Sequence, residues 1–343
     1  MKTIVLDAGK HENIELCANE IKNGNLVAFP TETVYGLGTN ALDEKSVTKI
    51  FSIKGRPEDN PLIVHVSSIE EVKPLVKAIP EIFGKLTDIY WPGPLTLIMQ
   101  KSDIIPDNVT AGLKTVAIRM PAHPAALALI RASGSPLAAP SANPSGRPSP
   151  TKASHVVNDI GGRIQYILDG GDCDVGIEST VLDVSGDTPK ILRPGYVTYD
   201  ELKDLLENVD IAGTEMASDK DKTEDAATPK SPGMKYRHYA PKAPLTAVIG
   251  TPEKTAEYII ARMNDDTAAL LFDDFTISHP NIISFGHSED YSTQASNLFD
   301  ALRKADDLNV SFIYAQVPPE EGLGLAVANR IKKAAGKKEM IYQ

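Results

Sequence analysis

The sequence predicts an α/β protein with two domains: a mixed sheet over residues 1–210 and a smaller, Rossmann-like parallel sheet over residues 245–343. Three observations predict this. The chain has 343 residues, which is more than one hydrophobic core usually serves. Apolar runs alternate with helical patterns in both regions. Between them lies a predicted linker, 211–244, whose first part is too polar to bury the surface that folding requires.

The first region contains five apolar runs that predict short buried strands, because prolines, glycines or polar residues bound them. They are 26–29, 62–64, 95–99, 116–118 and 181–184. Helical patterns lie between them. Ile14, Ala18 and Ile21 share one face of a first helix, and Pro124 is suited to open another that runs through Ala132.

The last region alternates strand and helix more regularly. Strands are predicted at 247–249, 268–272, 282–285 and 312–315, and helices at 253–263, 295–305 and 324–335. This alternation is typical of a parallel, Rossmann-like sheet. The segment 322–324 has the glycine spacing of a dinucleotide fingerprint, but too little chain follows it for a βαβ unit, so we assign it to packing.

Composition excludes several classes of protein. A formal net charge of −11 disfavours a broadly basic nucleic-acid clamp, although a local basic cleft stays open. Cys17 and Cys173 form no CxxC pair, so the sequence supports no zinc or redox motif and fits a reducing compartment. We find no signal peptide, no apolar run of about 18 residues, and no Walker, HExxH or GxSxG motif. We therefore expect a soluble, cytoplasmic protein without membrane contact or a metal site.

The first candidate site follows the first predicted strand and reads FPTETVYGLG. Ligands of α/β sheets usually bind where strands end. Thr31, Thr33 and Tyr35 can hydrogen-bond a small polar ligand, and Gly36 and Gly38 permit close backbone approach. A polar turn with glycines for geometry fits these residues equally well.

The second candidate site is the loop KGRPEDNP at 54–61. Lys54 and Arg56 can hold anionic oxygens, and a polyphosphate is the natural ligand. The rigidity that glycine and proline impose favours a site over the alternative, a solvated basic loop. His65 lies at the end of the next buried strand, where a lone histidine is more often a core residue than a ligand.

Two more segments combine a constrained backbone with polar side chains. PSANPSGRPSP at 140–150 has four prolines, which would fix the positions of Ser141, Asn143 and Ser149. The competing interpretation is a disordered Ser/Pro linker. In TVAIRMP, Arg119 lies on an otherwise buried strand and needs an anionic partner, which a protein carboxylate could supply equally well. GIEST at 176–180 and LRPG at 192–195 are individually weak signals at strand ends.

In this order, the segments resemble the threonylcarbamoyl-adenylate synthase family, whose catalytic domain has the YrdC-like fold. The matching stretches are FPTETVYGLG, KGRPEDNPLIVH, WPGPLT, AIRMP, PSANPSG, ESTVLD and LRPG, and SPGMKYRHYAP matches the linker of longer members. The resemblance spans nearly the whole chain. It implies a YrdC-like twisted mixed sheet around a positively charged concave cleft, followed by a Rossmann-like C-terminal domain.

The resemblance also implies residue roles, position by position. L-threonine would be bound by Thr33, His65, Arg119, Ala139 and Ser179. ATP would be bound by Arg56, Asn60, Thr115, Ser141, Asn143, Ser149, Arg193 and Tyr236. Lys54 and Arg56 would be catalytic by neutralising charge on the phosphates, together with Mg2+ that accompanies ATP. The segment around Tyr236 and His238 would cover the cleft as a lid.

The implied activity is that of an L-threonylcarbamoyladenylate synthase, a nucleotidyltransferase that converts L-threonine, bicarbonate and ATP into threonylcarbamoyl-AMP and pyrophosphate. A separate tRNA threonylcarbamoyl transferase would use the product, and weak contact with tRNA stays open. Two alternatives remain. An RNA-binding or ribosome-maturation protein would use the concave cleft and show salt-dependent RNA affinity. A carbamoyltransferase on the same fold would not need threonine.

Overall fold

The computed structural model describes residues 1–212, 238–275, 279–336 and 338–341, and its strands form two sheets. The strands of the first sheet are β1 (Ile4–Asp7), β2 (Val27–Phe29), β3 (Gly36–Asn40), β4 (Ile63–His65), β5 (Leu95–Gln100), β6 (Thr115–Arg119), β7 (Leu137–Ala138), β8 (Tyr166–Asp169), β9 (Thr180–Asp183), β10 (Lys190–Arg193) and β11 (Asp210–Ile211). Those of the second are β12 (Leu245–Ile249), β13 (Thr267–Leu271), β14 (Ile282–Ser284), β15 (Phe312–Gln316) and β16 (Glu339–Ile341).

Helices pack around both sheets. They are α1 (His11–Lys22), α2 (Glu44–Lys54), α3 (Phe83–Tyr90), α4 (Asp107–Thr110), α5 (Pro124–Ser133), α6 (Ala153–Ile160), α7 (Tyr199–Leu205), α8 (Pro252–Ile260), α9 (Tyr291–Asp307) and α10 (Gly324–Ala335). A 3-10 helix spans Glu70–Leu75. No helix in the described part of the chain is long and apolar enough to cross a membrane.

The first sheet is mixed, as predicted. Its eleven strands lie in the order β1-β8-β2-β3-β7-β4-β6-β5-β9-β10-β11. Pairs such as β4 with β6 are parallel, whereas β5 with β6 and β2 with β3 are antiparallel. The parallel register sets His65 beside Arg119, so two predicted site residues end neighbouring strands at the same edge.

Two helices show how the local sequence fixes the elements near that edge. Asp43 caps α2 by accepting a hydrogen bond from the Lys45 amide. Gly55, at φ 59°, ends α2 in the left-handed conformation that glycine adopts at little cost, and the chain turns there into the loop that carries Arg56. The predicted helix at Pro124 is confirmed, with His123 accepting from the Ala125 amide at its start.

Gly36 and Gly38 lie in strand β3, not in the polar turn that was one interpretation of the sequence. It pairs with β2 on one side and β7 on the other. The ring of Phe29 covers both glycines: a Cβ on Gly38 would lie 2.6 Å from Phe29 Cε1. The glycines therefore make room for an aromatic side chain inside the sheet.

The second sheet is parallel throughout and confirms the Rossmann-like prediction. Its order is β14-β13-β15-β12-β16, with parallel pairing at each step. The predicted helix from Gly324 to Ala335 is present as α10. The domain boundaries at 210 and 245 stay predictions, and most of the predicted linker, residues 213–237, lies outside the described residues.

The two sheets share buried surface. Val34 and Ile177 from the first region lie in one apolar cluster with Tyr239 and with Phe299 of α9. Gly176 touches α9 so closely that a Cβ there would lie 2.4 Å from Ser296 Cα. This contact brings α9 of the second domain against the edge of the first sheet that carries the predicted site.

Candidate active site

A cavity of about 80 Å³ lies at the carboxyl ends of β4 and β6. Its walls come from the first domain and from the end of the predicted linker, and they include residues from six of the segments singled out in the sequence. The lining residues are Thr31, Thr33, Val34, Gly36, Arg56, Pro61, Leu62, Ile63, His65, Arg119, Ala139, Pro140, Ser141, Glu178, Ser179, Arg193, His238 and Tyr239.

Arg119 forms the polar floor of the cavity. It is buried, and Nε donates to the Gly93 carbonyl at 3.1 Å while Nη1 donates to Thr33 Oγ1 at 2.9 Å. Nη2 lies 2.7 Å from Oε1 of the buried Glu32. The sequence left open whether a protein carboxylate balances Arg119, and Glu32 does so in this structure, beside the threonine-binding positions that the resemblance implies.

His65 is a neutral imidazole in this environment. Burial and the neighbouring Arg119 lower its pKa to about 3. The ring meets Phe29 edge-on, and its Nδ1 has no hydrogen-bond partner among the described residues. A neutral ring avoids placing an unpaired cation next to the buried guanidinium of Arg119, and it leaves one ring nitrogen free to bond a ligand.

Arg56 is held in place by its own loop. Its Nη2 donates to Asn60 Oδ1 at 2.7 Å and to the Pro61 carbonyl at 2.8 Å, and its Nε donates to the Asn60 carbonyl at 3.1 Å. Asn60 is buried behind it and does not line the cavity. Burial and the nearby Arg193 lower the pKa of Arg56 to about 10, so it remains a cation at neutral pH.

Arg193, at the end of β10, supports the opposite wall. Its Nε and Nη2 donate to the Ser179 carbonyl at 3.1 and 2.9 Å, and Nη2 also reaches Ser179 Oγ at 3.2 Å. Thr96 Oγ1 lies 2.7 Å from the same hydroxyl. Within the described chain, no carboxylate lies within the 4.0 Å ion-pair distance of Arg56 or Arg193. Two guanidiniums without carboxylate partners make this wall suited to an anion.

Lys54 lies behind the cavity wall rather than on it. Its ammonium donates to the carbonyls of Ser141 and Asn143, and burial lowers its pKa well below the usual value. Asn143 Nδ2 in turn bonds the carbonyls of Pro144 and Arg147, both at 2.9 Å. Lys54 therefore ties α2 to the proline-rich loop, and that loop is ordered, as predicted.

The predicted residues divide into two groups. Those that line the cavity are Thr33, Arg56, His65, Arg119, Ala139, Ser141, Ser179 and Arg193. Those that lie outside its lining are Lys54, Asn60, Thr115, Asn143 and Ser149, and Tyr236 lies outside the described residues. Thr115 begins β6 at the far end of the strand from Arg119, about 13 Å away at the usual rise per residue.

Three residues near the cavity were absent from the predicted set. Glu32 neutralises Arg119, and Glu178 accepts a hydrogen bond from Ser149 Oγ at 2.6 Å. Tyr239 lies over the cavity beside His238. The signal for Tyr239 was its place in the aromatic and cationic run KYRHY. Tyr35, expected to face a ligand, instead donates its hydroxyl to the Gly171 carbonyl at 2.7 Å.

Comparison with known proteins places this geometry in a family. Residues 19–195 match the Sua5/YciO/YrdC family model, which is described as telomere recombination, and residues 197–336 match a model described as the threonylcarbamoyl-AMP synthase C-terminal domain. A threonylcarbamoyl-AMP synthase of Pyrococcus abyssi is 46% identical over 94% of this chain and 94% of that protein. The chain belongs to the threonylcarbamoyl-AMP synthase family.

Two further relatives agree with this membership. A threonylcarbamoyl-AMP synthase of Bacillus subtilis is 46% identical over 92% of this chain and 91% of that protein. The crystal structure of P. abyssi Sua5 complexed with L-threonine superposes with a TM-score of 0.91 at 43% identity, covering 99% of this chain and 100% of the other. The shared fold therefore includes both sheets.

Proposed function

We propose that this family member is an L-threonylcarbamoyladenylate synthase, a nucleotidyltransferase that makes threonylcarbamoyl-AMP and pyrophosphate from L-threonine, bicarbonate and ATP. One observation carries the proposal: Thr33, His65 and Arg119 face the same cavity as Arg56 and Arg193. The first group would bind a small amino acid, and the second an anionic polyphosphate. Membership of the family supports the same interpretation.

Chemistry at this cavity would proceed in two balanced steps. The threonine amine bonds to the carbon of bicarbonate, and water leaves, which gives a carbamate. A carbamate oxygen then bonds to the α-phosphorus of ATP, and the bond from that phosphorus to pyrophosphate breaks. No nucleophilic side chain is required, because holding the labile carbamate beside ATP lowers the barrier by up to roughly 7–11 kcal/mol in well-oriented cases.

The protein groups would supply charge, orientation and exclusion of water. Arg119 would bind the amino-acid carboxylate. Glu32, which pairs with Arg119 in this structure, would then either contact the same guanidinium together with the substrate or move away from it. Arg56 and Arg193 would face the phosphates, where negative charge collects as pyrophosphate departs. His238 and Tyr239 lie over the cavity and would keep water from the carbamate and the mixed anhydride.

We propose that Mg2+ enters as part of the ATP complex. In the described ranges, no three or more His, Cys, Asp or Glu side chains gather in a way that could hold a metal ion. Mg2+ commonly binds through substrate phosphates together with one or two carboxylates. The product would pass to a separate tRNA threonylcarbamoyl transferase, and we place the enzyme in the cytoplasm, where tRNA and ATP are available.

Mass spectrometry of the product tests the proposal. The full chain is incubated with MgATP, L-threonine and 13C-labelled bicarbonate, and the expected product is a threonylcarbamoyl-AMP that carries one 13C atom, together with pyrophosphate. Omission of bicarbonate should stop pyrophosphate release. Release that is indifferent to bicarbonate would identify an ordinary amino-acid adenylase, and RNA binding without threonine-dependent turnover would favour the RNA-binding alternative.

A further inference from the structure

Arg330 of α10 reaches from the second domain to two loops behind the cavity wall. It is fully buried at 0% exposure. Its Nε lies 3.2 Å from Glu178 Oε2, its Nη2 donates to the Glu178 carbonyl at 3.3 Å, and its Nη1 donates to the Pro194 carbonyl. One guanidinium thus joins the loop before β9 to the loop after β10, and both loops belong to the first domain.

Those two loops carry substrate-facing residues. Glu178 accepts from Ser149 Oγ at 2.6 Å and directly precedes Ser179, and Pro194 directly follows Arg193. Ser149 and Arg193 are positions where the resemblance implies ATP contacts. A shift of Arg330 would therefore displace groups on the nucleotide side of the cavity without touching a substrate itself.

The ion pair with Arg330 keeps the buried side chain of Glu178 ionised. Burial by itself would raise the pKa of this carboxyl group, but Arg330 and Arg193 outweigh burial and lower the pKa below its usual value. The carboxylate therefore stays ionised and accepts from Ser149. Removing the cation that touches it would leave a buried charge without its ion-pair partner, which proteins avoid by protonation or by rearrangement.

The guanidinium of Arg330 also lies near the cover of the cavity, which is formed by His238 and Tyr239. Its Cζ is 5.8 Å from the centre of the Tyr239 ring, and that ring packs at 5.2 Å on Phe299 of α9. Tyr239 lines the cavity and has a pKa raised to about 12 by burial and by Glu178. Arg330, Glu178 and Tyr239 form one cluster that links the second domain, the nucleotide loops and the cover.

We propose that Arg330 is a positioning residue through which the C-terminal domain completes the ATP half of the active site, by holding Glu178 and Pro194 and thereby Ser149 and Arg193. This inference rests on the proposed synthase function. It gives the second domain a specific role in catalysis, because without its helix α10 the two loops would lack the cation that fixes their spacing.

Steady-state kinetics of Arg330→Gln and Arg330→Lys test the proposal. For Arg330→Gln we expect KM for ATP to rise at least tenfold while KM for threonine changes less than threefold, because Thr96 on β5 holds the Ser179 hydroxyl without help from Arg330. Arg330→Lys keeps the charge but loses the fork that spans both loops, so it should fall between Arg330→Gln and the wild type.

Two further variants make the test specific. Glu178→Gln should also raise KM for ATP, and the double variant with Arg330→Gln should be no worse than Arg330→Gln alone, because that single variant has already lost the ion pair that Glu178→Gln removes. Lys332→Gln is the matched control: it removes a cation from the same helix, but that cation pairs with Glu320 on the surface. Its kinetics should equal those of the wild type.

The outcomes separate three cases. If Arg330→Gln folds with wild-type KM for ATP, or if only kcat falls in proportion to lost active protein, Arg330 is merely structural and the proposal fails. If Arg330→Gln does not fold, the Arg330→Lys and Glu178→Gln variants decide by the same criterion. If the wild type makes no threonylcarbamoyl-AMP, the proposed function fails, and calorimetric affinity for a non-hydrolysable ATP analogue still tests positioning in the same variants.

Discussion

At the scale of single residues, Arg56 is the cation whose loss we expect to lower ATP turnover. It faces the cavity, its donors toward Asn60 and Pro61 fix its plane, and no carboxylate of the described chain pairs with it. For Arg56→Ala we expect kcat/KM for ATP to fall roughly a hundredfold or more, the scale seen when one preorganised donor is removed from a developing charge. Pyrophosphate release measures it.

A matched control distinguishes this loss from general damage. Arg131→Ala removes an exposed guanidinium from α5, outside the cavity. Its activity should equal that of the wild type, and both variants should keep the wild-type circular dichroism spectrum. Unchanged ATP turnover in a folded Arg56→Ala protein would remove Arg56 from the site.

His65 gives a prediction for the pH dependence of stability. The folded state holds its pKa at about 3, against an ordinary value near 6.5. Between these values the unfolded chain binds more protons, so the free energy of unfolding falls as pH falls from 6.5 toward 3. From pH 7 to pH 5, His65 alone should remove about 2 kcal/mol of stability.

Denaturant unfolding of His65→Asn at both pH values measures this contribution. The variant should be less sensitive to acid than the wild type by about that amount, because asparagine does not titrate. His238, whose pKa burial and Arg56 lower to about 4, contributes the same dependence in both proteins and cancels. Equal acid sensitivity of the two proteins would show that His65 does not titrate as a buried neutral ring.

Sequence patterns located most of the cavity, but they could not assign partners. The positions of Thr33, His65, Arg119 and Arg193 followed from strand ends and from the family resemblance. Glu32 pairs with Arg119, which lies 87 positions further along the chain, and Lys54 donates its hydrogen bonds to loop carbonyls. Both contacts depend on packing between distant segments. No local spacing encodes such contacts.

At the scale of elements, the sequence is clearest where one periodicity dominates. The buried face of helix α1 was predicted, and four strands of the second sheet, β12 to β15, were predicted within two residues of their observed bounds, whereas β16 was not predicted. Strand β3 was not predicted, because glycines have low strand propensity and only the ring of Phe29 over them fills the sheet. A ligand-binding segment and a polar turn were the two interpretations that the sequence left open for these residues. The short strands β7 and β11, two residues each, take their conformation from their neighbours rather than from their own pattern.

Gly176 shows how one element depends on another domain. Its φ of 74° is costly for any other residue, and a Cβ would lie 2.4 Å from Ser296 Cα and 2.6 Å from the Ala295 carbonyl oxygen of α9. For Gly176→Ala we expect a loss of stability beyond the roughly 1–2 kcal/mol of the left-handed backbone alone, because α9 must also move. Thermal unfolding measures it.

Gly112→Ala provides the reference for the backbone term. Gly112 has nearly the same φ, 78°, but nothing lies within 4 Å of its added Cβ. The difference between the two variants isolates the contact with α9. Equal decreases in melting temperature would mean that the domains separate at this point without cost.

At the scale of the whole molecule, ion pairs join the two domains beside the proline-rich loop at 140–150. Arg303 of α9 pairs with Asp159 of α6 at 2.5 Å and donates to the Pro148 carbonyl, next to Ser149. Asp306, also on α9, accepts from Arg147 and from the Lys242 amide, both at 2.6 Å. The second domain thus holds the proline-rich loop by the same helix that packs on Tyr239.

This coupling predicts how the molecule unfolds. The wild type should unfold in one calorimetric transition, whereas Arg303→Met leaves Asp159 buried without its partner, at a cost of about 3–5 kcal/mol. Because this ion pair joins the two domains, its loss weakens the contact between them more than it weakens either domain. We therefore expect two transitions, one for each domain. Lys304→Met removes an exposed ammonium of the same helix that pairs with Asp300, and this variant should keep one transition.

A compensating change tests whether the unpaired charge is the cause. In the double variant Arg303→Met, Asp159→Leu the buried carboxylate is gone, and replacing a buried ion pair by apolar groups of similar size is often neutral. We therefore expect a single transition to return. Two transitions in this double variant would show instead that the hydrogen bond from Arg303 to the Pro148 carbonyl, which the double variant also lacks, couples the domains and fixes the loop that carries Ser149.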